Sequence, residues 1–150
     1  MDLSRNKRTH FDYNVLEKFE AGIVLSGHEV KSVKAGRLNL AGAFVIIKGN
    51  EAWLINAELP PYQAANTPEG YEPARTRKLL LSKKEIKTLI GKTKESGLTV
   101  VPLRAYLKNG KVKLEIGLAR HKKARDKRET IRKRETDREI NRAMKSKRGL

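Results

Sequence analysis

Three histidines and seventeen carboxylates are the side chains through which this 150-residue chain could run acid–base or metal chemistry, and cysteine is absent. Without cysteine there are no disulfides, zinc–thiolate sites, iron–sulfur clusters or thiol nucleophiles. His10, His28 and His121 lie in different segments, none with a partner at ligand spacing, and His28-Glu29 alone is not a metal motif. The chain has no GxSxG elbow, phosphate loop or HExxH pair. Asp12, Glu17, Glu20 and Glu29 would form paired carboxylates only by converging in space. The residues therefore predict no enzyme, no metal and no cofactor.

The chemistry that remains is cationic. Lys+Arg number 34 against 17 Asp+Glu, a net charge of +17. Such a surplus repels itself in a compact chain, and its natural complement is a polyanion, foremost a nucleic acid. The charge is uneven: residues 119–150 hold 14 Lys/Arg, 5 Asp/Glu and only 7 apolar residues. A boundary is expected there, with a globular body over 1–119 and a basic tail over 120–150 that buries too little to fold alone. The longest apolar run, Ala43 to Ile47, is too short to cross a membrane, and the basic N-terminus lacks the apolar stretch of a signal peptide. No membrane partner and a cytoplasmic location are expected, and the chain is expected to act as a monomer.

In so basic a chain a strand carboxylate can accept hydrogen bonds from base or ribose donors, adding selectivity to charge. Glu20, followed by Ala21-Gly22, is the candidate. Tyr62 and Tyr71, in a proline-rich connection, are placed for base stacking, whereas Phe44, Trp53 and Tyr106 read as core.

These side chains need a frame. Residues 19–25 read as a strand, and Val30 and Val33 between Gly27 and Gly36 read as a short helix. Gly49-Asn50 and Asn109-Gly110 each separate two apolar runs and predict hairpins over 43–56 and 98–118. Residues 59–77, with four of the five prolines, read as an extended, mobile connection ending in Arg75, Arg77 and Lys78. Residues 78–81 form a short buried run. Ser82 and Glu85 form a capping-box pattern for a helix ending at Gly91 or Gly97. The fold class is mainly β: a small OB-type barrel of five or six strands with two or three short helical inserts. In the tail, Glu129–Lys133, Glu135–Arg138 and Glu139–Arg142 favour a helix, but an isolated one is marginal in water. The tail is expected to be disordered when free and helical when bound to an anionic surface.

Several stretches resemble the SmpB family, the SsrA-binding proteins: NKR with His10 and Tyr13, EAGIVLSGHEVKSVKAGRLNL (20–40), INAELPPY (55–62), EPARTRKLLLSKKEI (72–86), LIGK (89–92), LTVVPL (98–103), KNGKVKLEIGLA (108–119) and KKARDKRETIRKRETDREI (122–140). The resemblance runs from about Asn6 to Lys145. It implies an OB-type barrel that binds the tRNA-like domain of transfer-messenger RNA. It also implies delivery of that RNA to stalled ribosomes in trans-translation, with the tail in the small-subunit decoding site and mRNA channel. It places the Glu of the EAG motif and the RKLLL segment on the RNA-contacting surface. With the basic residues of the matching stretches, the RNA-binding candidates are Glu20, Gly22, Lys31, Arg37, Arg75, Arg77, Lys78, Leu80 and Ser82. The ribosome-binding candidates in the tail are Lys122, Lys123, Arg125, Asp126, Lys127, Arg128, Arg132, Lys133, Arg134 and Met144, with Asp126, Lys127 and Arg128 matching the family's DKR motif. Two positions depart from the family pattern: His121 stands where Gly is usual, and Ser82 where Asn or His is frequent. A ribosome-associated structural RNA-binding protein is the alternative that composition alone leaves open.

Overall fold

A computed structural model describes residues 2–148 of the chain except 64, 66 and 96. It opens with β1 (Asp2–Arg5) and the short α1 (Thr9–Asp12). These lead into β2 (Tyr13–Ile23), α2 (Gly27–Lys34), β3 (Phe44–Lys48), β4 (Glu51–Ile55) and β5 (Arg77–Leu80). Then follow α3 (Lys83–Thr93), β6 (Leu98–Lys108), β7 (Lys111–His121) and α4 (Ala124–Arg148). In α4 the described side chains are those of residues 128 and 131–142.

Every strand pairing is antiparallel. The neighbours run β6-β3-β4-β5-β2-β7, and β7 returns to β6, so six strands close into a ring. β6 spans 11 residues and serves three neighbours. It touches β3 at Val45↔Val100, runs along β7, and pairs Arg104 to Tyr106 with β1. The mainly β barrel with short helical inserts stands as expected, with seven strands among the described residues. β1 is the strand that composition does not announce. Its four residues carry a single apolar side chain, and it is held from outside by Ser4 Oγ donating to Leu38 O at 2.6 Å and by Arg104 on Asp2 at 2.7 Å.

The turns form where their residues allow. Gly49 and Asn50 (φ +61° and +59°) and Asn109 and Gly110 (φ +52° and +75°) are both left-handed pairs, the geometry of a two-residue hairpin turn. In β7 the alternation acts as read: Val112, Leu114, Ile116 and Leu118 are buried, while Lys113 and Glu115 point outward and are only partly covered. Pro102 lies inside β6, beside the register shift before Arg104, where the ladder can spare its missing N–H. The core joins Val33, Leu54, Leu59, Leu79, Leu89, Val100, Leu114 and Ile116.

α3 carries the expected capping box: Ser82 Oγ accepts from the Glu85 N–H, and Glu85 Oε1 from the Ser82 N–H, both at 3.1 Å. The helix passes through Gly91 and ends at Thr93. α2 has the same device, with the Ser26 N–H donating to Glu29 Oε1 at 3.0 Å. The spacing Ser26-x-x-Glu29 matches Ser82-x-x-Glu85, so the signal was present in the sequence.

The body runs past the expected break. Arg120 and His121 still pair with Asn14 and Tyr13, and the Lys122 N–H donates to Asp12 O at 2.8 Å. The fall in apolar content marks where burial stops, and strand pairing continues two residues further, to His121. The tail then forms α4, a helix of 25 residues, about 37 Å long at 1.5 Å per residue.

Candidate nucleic-acid interface

Strand alternation sorts the candidate residues by face. In β2, Phe19 and Ala21 turn toward the core, leaving Lys18, Glu20 and Gly22 outside. Glu115 lies across from Glu20 and Lys113 from Gly22 on β7. Gly22 faces Leu80 on β5, and Lys78, two residues before, faces Trp53 on β4. On β6, Arg104, Tyr106 and Lys108 complete the row. The outer face of β4–β5–β2–β7–β6 is therefore one continuous surface.

Glu20, Gly22 and Leu80 come together at its centre. A side-chain carbon on Gly22 would lie 3.2 Å from Leu80 Cβ, so glycine permits the close approach of β2 and β5. Leu80 is 53% exposed, an apolar side chain standing out of a charged surface. Glu20 is paired with Lys108 at 3.2 Å and accepts a hydrogen bond from Tyr106. That bond, then the one from Lys108, holds the Glu20 carboxyl below its ordinary range, so it is ionised and an acceptor at neutral pH. Burial, followed by the bond to Glu20, pushes the Tyr106 hydroxyl up to about 12. Glu115 is flanked by Arg104 at 3.2 Å and Lys18 at 4.0 Å, which offsets the like charge of Glu20 across the ladder.

Two aromatic residues read as core belong to this face. Tyr106 lies in a strand where Arg104, Tyr106 and Lys108 alternate with Ala105 and Leu107, and Arg104 sits 4.3 Å from its ring centroid. Trp53 alternates with buried Ala52 and Leu54 and is half-buried on the outer side. Period two, counted strictly, would have placed both outside. Phe44 is likewise only half-buried.

Other candidates lie elsewhere. Arg77 is fully buried, so its guanidinium cannot meet an RNA on the surface. It bonds Glu29 Oε2 at 3.0 Å and Ala57 O at 3.0 Å. Arg75 also pairs with Glu29, and Tyr71 donates to Leu59 O at 2.9 Å and reaches the Glu29 carboxylate at 3.2 Å. Arg77, Arg75 and Tyr71 thus tie the proline-rich connection to α2, and this segment is anchored. Burial alone would raise the Glu29 carboxyl. The bonds from Arg75, the Ser26 N–H and Arg77 overcome it and bring the group to about 2. Lys31 and Arg37 belong to the far end of α2 and the turn after it. Ser82 is exposed two residues beyond Leu80, its hydroxyl engaged in the α3 cap.

Asp12, Glu17 and Glu20 do not converge with Glu29. They pair separately with Arg8, Lys92 and Lys108. Among the described residues no three His, Asp or Glu side chains are grouped to hold a metal ion, and no helix is long and apolar enough to cross a membrane.

In the tail, Lys122 is fixed to α1, its Nζ donating to His10 O at 2.8 Å. His121 packs against Tyr13 with ring centroids 4.5 Å apart and the rings tilted by 44°, so the residue at the family's usual glycine position is held in the strand. Lys123 follows, exposed. On α4, Arg128, Arg132, Lys133 and Arg134 are exposed, and Arg134 lies 4.4 Å from the Phe11 ring. Arg125, Asp126, Lys127 and Met144 are on the helix backbone, and their side chains lie outside the described residues.

The SmpB protein family model matches residues 3–146. An SsrA-binding protein of Thermosynechococcus vestitus is 49% identical over 145 residues, covering 97% of this chain and 95% of the relative. One from Sulfurihydrogenibium sp. is 52% identical over 145 residues, with the same coverage. A solved structure described as "tmRNA-SmpB: a journey to the center of the bacterial ribosome" contains a similar chain. It aligns with a TM-score of 0.68 at 42% identity, covering 85% of this chain and 93% of that one.

Proposed function

Because the chain belongs to the SmpB family, we propose that it binds transfer-messenger RNA through its barrel and brings that RNA to stalled ribosomes for trans-translation. It acts by binding, with no catalytic step of its own, and it works in the cytoplasm as a monomer. The observation that carries this reading is the match, along nearly the whole chain, to SsrA-binding proteins and to the chain of a tmRNA–SmpB structure.

The barrel face supplies a chemistry suited to that RNA. Lys18, Lys78, Lys108 and Lys113 attract phosphate from one continuous surface. Glu20 repels phosphate and accepts from amino, imino or 2′-hydroxyl donors, so it favours an RNA whose base edges or riboses present themselves there. Leu80 and Trp53 offer apolar contact to a base lifted out of its stack. Gly22 keeps the centre flat. The acceptor sets which RNA fits, and the lysines set how tightly and with what salt dependence.

The tail contributes differently. α4 is a cationic rod about 37 Å long, with exposed Arg128, Arg132, Lys133 and Arg134. Such a rod fits a channel walled by RNA, which is the role read for Lys122, Lys123, Arg125, Asp126, Lys127 and Met144 as well. A chain ending after Lys123 tests this division in a reconstituted translation reaction stalled without a stop codon. It should keep its affinity for transfer-messenger RNA within about threefold and lose tagging of the nascent chain. Loss of RNA affinity in proportion to loss of tagging would overturn the division.

A further inference from the structure

Lys31 and Arg37 form a site of their own, away from the barrel face. α2 turns Glu29, Ser32 and Val33 inward, so Lys31, Lys34 and Ala35 share its outer side. Opposite them the chain returns through Pro60 to Gln63, held there by Ser32 Oγ donating to Pro60 O. Lys31, Lys34, Ala35, Tyr62 and Gln63 line an open cleft of about 580 Å³. Arg37 fixes its aromatic wall: the guanidinium donates to Pro61 O at 2.9 Å and Tyr62 O at 3.0 Å and lies 5.5 Å from the Tyr62 ring centroid. Tyr62 is still 38% exposed. Among the described residues, neither Lys31 nor Lys34 is within ion-pair distance of a carboxylate. On the barrel face Lys18, Lys78 and Lys108 each have one, and of its four lysines Lys113 alone shares the state of Lys31 and Lys34 among the described residues.

We propose that this cleft holds one unpaired nucleotide of a single-stranded RNA segment, with its base against Tyr62 and its flanking phosphates on Lys31 and Lys34. The inference rests on RNA being the ligand of this chain, and it adds a second contact that shares no residue with the Glu20 face. Two unneutralised ammonium groups one helical turn apart retain their full attraction for phosphate. A tyrosine pinned by an arginine loses little freedom when a base stacks on it. A base inside a duplex keeps both faces stacked and cannot use the ring, so the cleft selects single strands. Arg37 acts here as a positioning residue.

The test is photo-crosslinking of the full chain to a short single-stranded RNA carrying 4-thiouridine, with the adducts mapped by mass spectrometry. The same sequence paired as a duplex is the comparison. An adduct on Tyr62 is expected with the single strand, several-fold weaker with the duplex. Lys31→Glu with Lys34→Glu should cut that adduct by about tenfold while leaving adducts on α4 unchanged. Arg37→Ala, which frees the ring and keeps both lysines, should cut it several-fold by itself. Absence of a Tyr62 adduct, equal yield from the duplex, or indifference to the double charge reversal would overturn the proposal. A gel shift of the same preparation on transfer-messenger RNA separates the two readings. Binding there without a Tyr62 adduct removes only the cleft, and no binding there removes the proposed function.

Discussion

Glu29→Gln should be among the most damaging single substitutions in this chain, although the residue lies on no proposed RNA surface. Glu29 is 1% exposed and receives Arg75, Arg77, Tyr71 and the Ser26 N–H. Its carboxyl falls from an ordinary 4.5 to about 2 in the folded chain. A fall of that size corresponds to about 3 kcal/mol of folding free energy at neutral pH. The folded value lies below the unfolded one, so this stability is complete above about pH 5 and is lost as the pH falls toward 2. At about pH 3.5 the same arithmetic leaves about 2 kcal/mol. Glutamine keeps the shape but strands the buried Arg77 cation, a loss of about 3–5 kcal/mol. Urea denaturation of parent and variant at neutral pH should show that gap, and repetition near pH 3.5 should show it narrower by about 1 kcal/mol, because only the parent titrates. A variant within about 0.5 kcal/mol of the parent at neutral pH would mean that Glu29 does not hold Arg77 in the fold, as would a gap that acid leaves unchanged.

Other substitutions separate folding from recognition. Gly117→Ala places a carbon 3.0 Å from Val15 Cγ1 and 3.1 Å from Leu103 Cδ1, and should destabilise by about 1–3 kcal/mol in thermal unfolding. Gly22→Ala places a carbon 3.2 Å from Leu80 Cβ, so β2 and β5 must part by a few tenths of an ångström. Its stability should change by less than about 1 kcal/mol while affinity for transfer-messenger RNA drops in a filter-binding assay. Glu20→Ala should reduce the preference for transfer-messenger RNA over random RNA more than it reduces total affinity. Spectrophotometric titration of the same variant should find the Tyr106 hydroxyl below its parent value of about 12, burial still holding it above an ordinary phenol.

Local signals carried most of the fold. Asn109-Gly110 with the alternation of Val112 to Leu118, and Ser82 with Glu85, each specify their element by short-range physics, and each element forms, although α3 ends at Thr93 and at neither expected glycine. β1 was not legible, because its support comes from Leu38 and Arg104, far away in the chain. Burial of charge was the harder matter. Arg77 reads as a surface cation until Glu29, 48 residues earlier, is seen to receive it. The same long-range contact hides Tyr71 as an anchor. Trp53 and Tyr106 could have been placed by counting alternate residues, but large aromatics in apolar strands suggest a core. The grouping of Glu20, Gly22 and Leu80 depends on β2 and β5 being neighbours across the ring, which no local pattern states.

A chain that reads one RNA must do more than attract RNA in general. A gel shift of the full chain at physiological salt tests it directly, comparing transfer-messenger RNA with an ordinary tRNA and a random RNA of equal length. A clear preference for transfer-messenger RNA is expected. Equal binding to all three would contradict it, leaving a basic protein whose charge alone explains its affinity.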